Sequence, residues 1–158
     1  MARGDMPFRV VLVEDNRPDV MLVRHALDEC GLDVALQVID DAEEAVAYIS
    51  RMGETENAPC PDIVLLDLNV PKGDGLELLA AFRTSPKCPD LPIIIMTSSD
   101  SPRDRTRATE IGATRYFRKP IDLDQYLRLG ALVEEVLNER MASNKRTRQD
   151  GSGNDVAL

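Results

Sequence analysis

The sequence has few basic residues and few of the side chains that build zinc sites. Over 158 residues, 19 lysines and arginines stand against 28 acidic residues, which gives a net charge of −9. Because a phosphate-binding surface needs local positive charge, this balance argues against direct binding of nucleic acid or of an anionic membrane. One histidine and three distant cysteines, Cys30, Cys60 and Cys88, form no zinc pattern. We predict that these cysteines stay reduced.

Long apolar segments are also missing. The first ten residues lack the apolar core of a signal peptide, and no apolar run approaches the length of a membrane span. Together with the predicted free cysteines, this pattern favours a cytoplasmic protein that does not contact the membrane.

Short apolar runs alternate along the chain with segments of helical period. The first, third and fourth runs are apolar nearly throughout, as strands covered on both faces must be. We predict strands over residues 8–14, 34–39, 62–67, 92–97 and 114–119, and helices over 18–30, 42–52, 74–83, 102–111 and 122–141. Such alternation predicts an α/β fold, a doubly wound parallel sheet of five strands with helices on both faces.

The length of the chain fits one domain. We predict an N-terminal tail over residues 1–7 and a folded domain over residues 8–142. The segment 143–158 has almost nothing to bury, and we predict that it is disordered.

Polar side chains follow the predicted strands where each strand ends. Ligands of open α/β sheets sit outside the carboxyl ends of the strands, so these residues are the candidates for a functional site. They are Glu14, Asp15, Asp67, Thr97 and Lys119. Structural alternatives exist, because Asp15 or Asn16 could cap the helix that begins near Pro18, and Thr97 or Ser98 could satisfy a turn. Three clustered carboxylates, however, repel one another unless a cation compensates.

An acidic pocket with oxygen ligands suits Mg²⁺, a hard cation that keeps several waters. A Mg²⁺ ion held by Asp15, Asp67 and a nearby carbonyl would leave room for phosphoryl oxygens. Lys119 and Thr97 would then contact a phosphoryl group carried by Asp67. A carboxylate nucleophile that forms an aspartyl phosphate is an established form of covalent catalysis.

Four separated segments carry a family resemblance over about residues 8–141. Glu14-Asp15, "LLDLNVPKGDG", "IIIMTSSD" and "YFRKP" together resemble the receiver domain of two-component response regulators, the CheY-like superfamily. The resemblance implies a flavodoxin-like strand order 2-1-3-4-5 and a stand-alone signalling protein rather than an enzyme. It also implies a sensor histidine kinase as the phosphodonor.

The resemblance assigns a role to each site residue. Asp67 resembles the phosphoacceptor, and the implied Mg²⁺ ligands, which Mn²⁺ can also use, are Glu14, Asp15, Asp67 and the backbone carbonyl of Asn69. Thr97 resembles the switch hydroxyl, Lys119 the phosphate-binding lysine, and Tyr116 the aromatic residue that turns inward on activation. The Lys119–Pro120 bond is often cis in this family.

The last predicted helix has two apolar stripes. The second stripe, formed by Leu129, Leu132 and Val136, lies roughly a third of a turn from the first by the ~100° per residue of an α-helix. It could be buried within the domain or by a second protomer. We predict a homodimer through the last helix and its neighbours, with this second stripe as the dimer face.

Two features indicate a subgroup within the receiver family. The long loop after Met52 and the extended last helix resemble the small regulators paired with bacterial phytochrome kinases. The alternative is a Mg²⁺-dependent phosphohydrolase of the haloacid-dehalogenase type, but Asn69 stands where that family needs a second aspartate. A flavin- or nucleotide-binding module would need a glycine-rich phosphate loop of different spacing from "PKGDG".

Overall fold

Five parallel strands form one sheet in the order β2-β1-β3-β4-β5, as predicted. The computed structural model describes residues 6–154, including the side chains of residues 6–144. The strands are β1 Phe8–Val13, β2 Val34–Ile39, β3 Ile63–Asp67, β4 Ile93–Thr97 and β5 Arg115–Arg118. The helices are α1 Arg17–Glu29, α2 Ala42–Arg51, α3 Gly75–Arg83, α4 Pro102–Ile111, α5 Leu123–Tyr126 and α6 Arg128–Asn154. The fold is the flavodoxin-like α/β sandwich.

Two apolar layers cover the two faces of the sheet. One layer lies beneath α2, α3 and α4 and includes Val11, Leu66 and Phe82. The other lies beneath α1, α5 and α6 and includes Leu12 and Leu65. All residues of β3 and β4 are buried, which explains why these two strands are apolar nearly throughout.

Polar residues cap the helices that follow the strands. Asn16 caps α1, because its side-chain oxygen accepts a hydrogen bond of 3.0 Å from the Asp19 backbone N–H. Asp74 and Ser101 cap α3 and α4 in the same way. Asp15 is therefore not the cap of α1, and its carboxylate remains at the rim of the sheet.

The last helix differs from the prediction at both ends. A short helix, α5, ends at Tyr126, and α6 begins at Arg128, where one helix over residues 122–141 was predicted. The backbone of residues 143–154 continues α6, where the sequence predicts a disordered tail. Residues 141–150 contain neither proline nor glycine, so nothing in them terminates a helix already formed. Residues 1–5 and 155–158 of the two predicted tails lie outside the described residues.

Leu129 and Val136 are 0% and 2% exposed and belong to the core layer beneath α6. Our assignment of these two residues to a dimer face is therefore wrong. Leu132 is half-buried and packs against the same layer. Gly130 explains the tight fit, because a Cβ atom there would lie 2.4 Å from the Ala26 carbonyl oxygen of α1. The second stripe is apolar because it is covered within the domain, where α6 packs against α1 and α5.

The cysteines also differ from the prediction. Cys60 and Cys88 form a disulfide with a Cα–Cα distance of 5.8 Å, whereas Cys30 is a free thiol. The segment 53–62 folds back over the α3–β4 connection, which brings together two cysteines that are 28 residues apart. Gly53 packs closely on this bond, since a Cβ atom there would lie 2.8 and 2.9 Å from the two sulfur atoms. None of the helices within residues 6–154 is both long and apolar enough to cross a membrane.

Candidate metal and phosphoryl site at the sheet rim

Three carboxylates meet at the carboxyl ends of β1 and β3, as predicted. Oxygen atoms of Glu14, Asp15 and Asp67 all lie within 4.8 Å of one another. Glu14 and Asp67 are 1% and 5% exposed, whereas Asp15 is open to solvent. Because β1 and β3 are adjacent parallel strands, their ends deliver these side chains to one place. An all-oxygen donor set with one open side fits a hard divalent cation.

Lys119 follows β5, and its side chain extends to this cluster of carboxylates. Its ammonium nitrogen lies 2.7 Å from Glu14 Oε2, 3.0 Å from Asp67 Oδ2 and 3.0 Å from Asp19 Oδ2. The lysine side chain is 8% exposed, so these ion pairs are shielded from water. The ammonium is the cation that partly compensates the carboxylates.

Burial and the charges of this cluster shift the pKa values of Glu14 and Lys119. Burial raises the pKa of Glu14 to about 7, against the hydrogen bond from Lys119, while the negative charge of Asp67 raises it further. Burial alone would lower the pKa of Lys119, but its bonds to Glu14 and Asp19 and the charge of Asp67 raise it overall. The cluster thus has more negative charge than one ammonium neutralises, which favours a second cation.

The β3–α3 loop forms the open side of the cluster. The Asn69 backbone N–H donates a 2.9 Å hydrogen bond to Asp67 Oδ1, which orients the carboxylate. A shallow cavity of about 650 Å³ lies beside it, lined in part by Asp15 and Asn69. Gly75 closes the loop, because a Cβ atom there would lie 2.4 Å from the Leu68 Cα atom.

Thr97 ends β4 and is fully buried, with its Oγ1 accepting a 3.0 Å hydrogen bond from the Ser99 N–H. Tyr116 on the neighbouring strand is half-buried, and Arg105 of α4 lies 5.4 Å from its ring centroid. The Tyr116 hydroxyl is buried without a hydrogen-bond partner among the described residues. Burial, followed by the charge of Asp104, raises the pKa of this phenol. The aromatic ring therefore already lies against the core.

Asp19 was not among the predicted site residues. It lies in the first turn of α1, four residues after Asp15, and contacts Lys119 directly. The N-cap at Asn16 could have indicated Asp19. A residue three positions after a cap lies in the first turn of its helix, close to the end of the preceding strand. The Lys119–Pro120 bond also differs from expectation, since no peptide bond between residues 6 and 154 is cis.

The strand order and the acidic rim together define a flavodoxin-like α/β domain of the receiver type. Residues 10–129 match the family model of the response regulator receiver domain. The chain belongs to this family, and it is therefore a response regulator of two-component signalling.

Relatives support the assignment over most of the chain. The chain is 33% identical over 128 residues to the response regulator Rcp1 of a Synechocystis strain, covering 81% of this chain and 87% of Rcp1. The structure of a phosphorylated cyanobacterial phytochrome response regulator, RcpA, superposes with a TM-score of 0.73 at 32% identity, covering 82% of this chain and 93% of RcpA. The Mn²⁺-bound form of Rcp1 gives 0.72 at 33% identity, covering 81% and 92%.

Proposed function

We propose that the protein accepts a phosphoryl group on Asp67 in a Mg²⁺-dependent reaction and acts as a phosphorylation-dependent cytoplasmic switch. The contact between Lys119 Nζ and Asp67 Oδ2 at 3.0 Å carries the proposal. The carboxylate oxygen would attack the phosphorus of the donor, and the donor's leaving group would depart. Lys119 would then contact the new phosphoryl oxygens.

The cation belongs to the acidic cluster. Glu14, Asp15 and Asp67 would hold Mg²⁺, with the Asn69 carbonyl as a further ligand, and Mn²⁺ would serve in its place. When bound, the ion would neutralise the charge of the phosphoryl oxygens. Burial, followed by the charge of Asp67, raises the pKa of Glu14, and a bound cation would favour the charged form of this carboxyl.

Thr97 and Tyr116 would pass the change to the protein surface. In the proposed switch, Thr97 bonds a phosphoryl oxygen, and Tyr116 occupies the space beside it. Both residues border α4, whose only buried residue is Ala108. With so little apolar anchoring, α4 can shift at low cost. The surface formed by α4, β5 and the last predicted helix, which is α5 and α6 in the structure, would then change for protein contacts.

The phosphodonor we propose is a sensor histidine kinase of the phytochrome type. The likeness to RcpA, a regulator named for a phytochrome, supports this subgroup. We propose no direct contact with nucleic acid or membrane, since the sequence carries a net charge of −9.

Intact mass measurement tests the central proposal. With Mg²⁺ and acetyl phosphate, the wild-type protein should gain one phosphoryl group, and Asp67→Asn should gain none. EDTA should block the gain in the wild type. A matched control is Asp62→Asn, which removes a carboxylate at the opposite end of the same strand. Equal labelling of Asp67→Asn and wild type would refute the assignment, and rapid turnover of generic phosphate esters would favour a phosphohydrolase.

We also propose a homodimer. Because Leu129 and Val136 are buried, the dimer face that we propose uses Leu132 and the 41%-exposed Met141, the large apolar side chains that remain accessible among the described side chains of α6. Sedimentation of Leu132→Glu and Met141→Glu, with and without acetyl phosphate, should show a loss of dimer. A wild type that stays monomeric in both states would rule out this assembly.

A further inference from the structure

A second cavity lies away from the acidic rim. It has a volume of about 370 Å³ and opens between the start of β1, the edge strand β2, the end of α2 and the segment 53–62. Arg9 is the second residue of β1, whereas Glu14 follows the last, so the two sites lie toward opposite ends of this strand. The polar lining residues include Arg9, Tyr48, Arg51 and Asn57.

Arg9 is unusual among the half-buried arginines of residues 6–144. The other three have guanidinium partners: Arg83 bonds the carbonyls of Gly112 and Leu91, Arg115 pairs with Glu139, and Arg140 bonds the Asp62 carbonyl. The Arg9 guanidinium has no hydrogen-bond or ion-pair partner within those residues. A partly desolvated cation beside an empty volume is costly unless an anion reaches it.

The neighbours of Arg9 supply further donors. Tyr48 lines the same cavity as Arg9. Burial raises the pKa of Tyr48 to about 12, and the positive charge of Arg9 opposes this effect. The phenol therefore stays protonated at neutral pH and can donate a hydrogen bond. Arg51, in the last turn of α2, adds a second positive charge.

The remaining walls are apolar and held in place. Val11 and Met52 are 2% and 1% exposed and contribute to the floor. Asn57, Ala58 and Pro59 form the wall opposite the sheet. That wall is fixed by a 2.6 Å hydrogen bond from the Gly53 N–H to the Ala58 carbonyl and by the Cys60–Cys88 disulfide. A cavity with rigid walls binds a ligand with little loss of conformational freedom.

We propose that this cavity binds a small organic carboxylate. The apolar part of the ligand would pack against Val11 and Met52, and its carboxylate would pair with the Arg9 guanidinium. Arginine presents a planar fork that matches two carboxylate oxygens, and the Tyr48 hydroxyl adds a third donor. Arg51 and Asn57 stand at the mouth. This site does not rest on phosphorylation of Asp67.

Binding is tested by NMR titration of the oxidised, ¹⁵N-labelled full chain with benzoate. Benzoate should shift the amide signals of β1, β2 and residues 57–58 with a saturable, millimolar-range isotherm. Arg9→Met keeps the length of the side chain but removes the charge, and it should weaken binding at least about tenfold, the loss of one charge-assisted contact. Arg51→Met should weaken binding by a smaller factor. Arg24→Met, an exposed arginine of α1, is the matched control and should bind like the wild type.

Several outcomes would overturn the proposal. These are shifts that stay linear with benzoate, equal binding of neutral benzamide, or unchanged affinity in Arg9→Met. Saturable binding of inorganic phosphate without benzoate binding would overturn the carboxylate assignment. If Arg9→Met fails to fold, wild-type affinity in the exposed Arg51→Met variant decides against the site. Labelling of Asp67 by acetyl phosphate should be unchanged in all these variants, so the result is separate from that of the proposed switch.

Discussion

The ammonium of Lys119 lies 2.7 Å from the carboxylate of Glu14, and both side chains are almost completely shielded from water. The same ammonium also contacts Asp67 and Asp19. One cation therefore holds three carboxylates from β1, β3 and α1 together at the rim. This arrangement links the chemistry of the site to the stability of the fold.

Replacing Lys119 by methionine should destabilise the protein in the absence of a divalent cation. Glu14 and Asp67 would remain buried without their cation, and breaking such a pair costs about 3–5 kcal/mol. Burial raises the pKa of Glu14, and the ammonium opposes this, so without Lys119 the folded state holds a proton on Glu14 to higher pH than the unfolded chain does. The loss of stability should therefore be small at pH 5 and grow as the pH rises to 8.

Urea unfolding at the two pH values, in EDTA and in Mg²⁺, measures this effect. Lys72→Met is the matched control, because Lys72 is an exposed lysine that pairs with Asp41 and Glu43. Its loss should cost less than about 1 kcal/mol. A Lys119→Met variant as stable as the control at pH 8 would contradict the inferred role of the ammonium.

Gly130→Ala should weaken the packing of α6 on α1. The added Cβ would lie 2.4 Å from the Ala26 carbonyl oxygen and 3.0 Å from Cys30 Cβ, so the two helices must separate. Overpacking of this kind costs about 1–3 kcal/mol, although alanine alone is the better helix former. The midpoint of thermal unfolding should fall. The neighbouring exposed site gives the control, since Ala131→Gly should lose only about 1 kcal/mol.

The Cys60→Ser/Cys88→Ser double variant should be less stable than the oxidised protein by about 2–4 kcal/mol. The disulfide closes a segment of 28 residues, so its removal gives the unfolded chain more freedom. Chemical unfolding with and without a thiol reductant measures the difference. Reductant should lower the stability of the wild type and leave the double variant unchanged. If the reductant lowered the stability of both proteins equally, the stabilisation would not come from this disulfide.

Tyr126→Phe should stabilise the protein, and the gain should grow at alkaline pH. The Tyr126 hydroxyl is buried without a hydrogen-bond partner among the described residues, and such a group costs about 1–3 kcal/mol. Burial, followed by the charge of Asp19, also raises the pKa of this phenol above its ordinary value of 10.0. The unfolded chain therefore loses this proton first as the pH rises past 10, and wild-type stability falls there.

Unfolding at pH 7 and pH 10.5 measures both effects. Tyr48→Phe serves for comparison, because its phenol also has a raised pKa but lies at the arginine-lined cavity. A Tyr126→Phe variant that is less stable than wild type at pH 7 would show that the hydroxyl has a favourable partner.

The strand pattern and the rim residues were predictable because both follow from local sequence. A strand covered on both faces must be apolar, and the polar residue after it must emerge at the carboxyl edge. Glu14, Asp15, Asp67 and Lys119 come together for this reason. Asp19 was missed because it lies within a helix rather than at the end of a strand. Its role at the site comes from its contact with the Lys119 ammonium.

The errors concern contacts that depend on how elements pack over a distance. Periodicity showed two apolar stripes on the last helix, but only the close approach at Gly130 buries Leu129 and Val136 within the domain. The pairing of Cys60 with Cys88 likewise depends on the path of the segment 53–62. Sequence spacing carries no information about such an approach.

The α6 helix extends well past its anchor on α1. Gly130 touches Ala26 near the start of α6, and the backbone stays helical to Asn154, about 36 Å further on at ~1.5 Å per residue. The N-terminal end of α1, two turns before Ala26, carries Asp19, which contacts Lys119 at the rim. If α1 and α6 tilted together by about 5° about the contact at Gly130, the C-terminal end of α6 would move by about 3 Å. A sub-ångström rearrangement around one ammonium can thus become a movement large enough for another protein to detect.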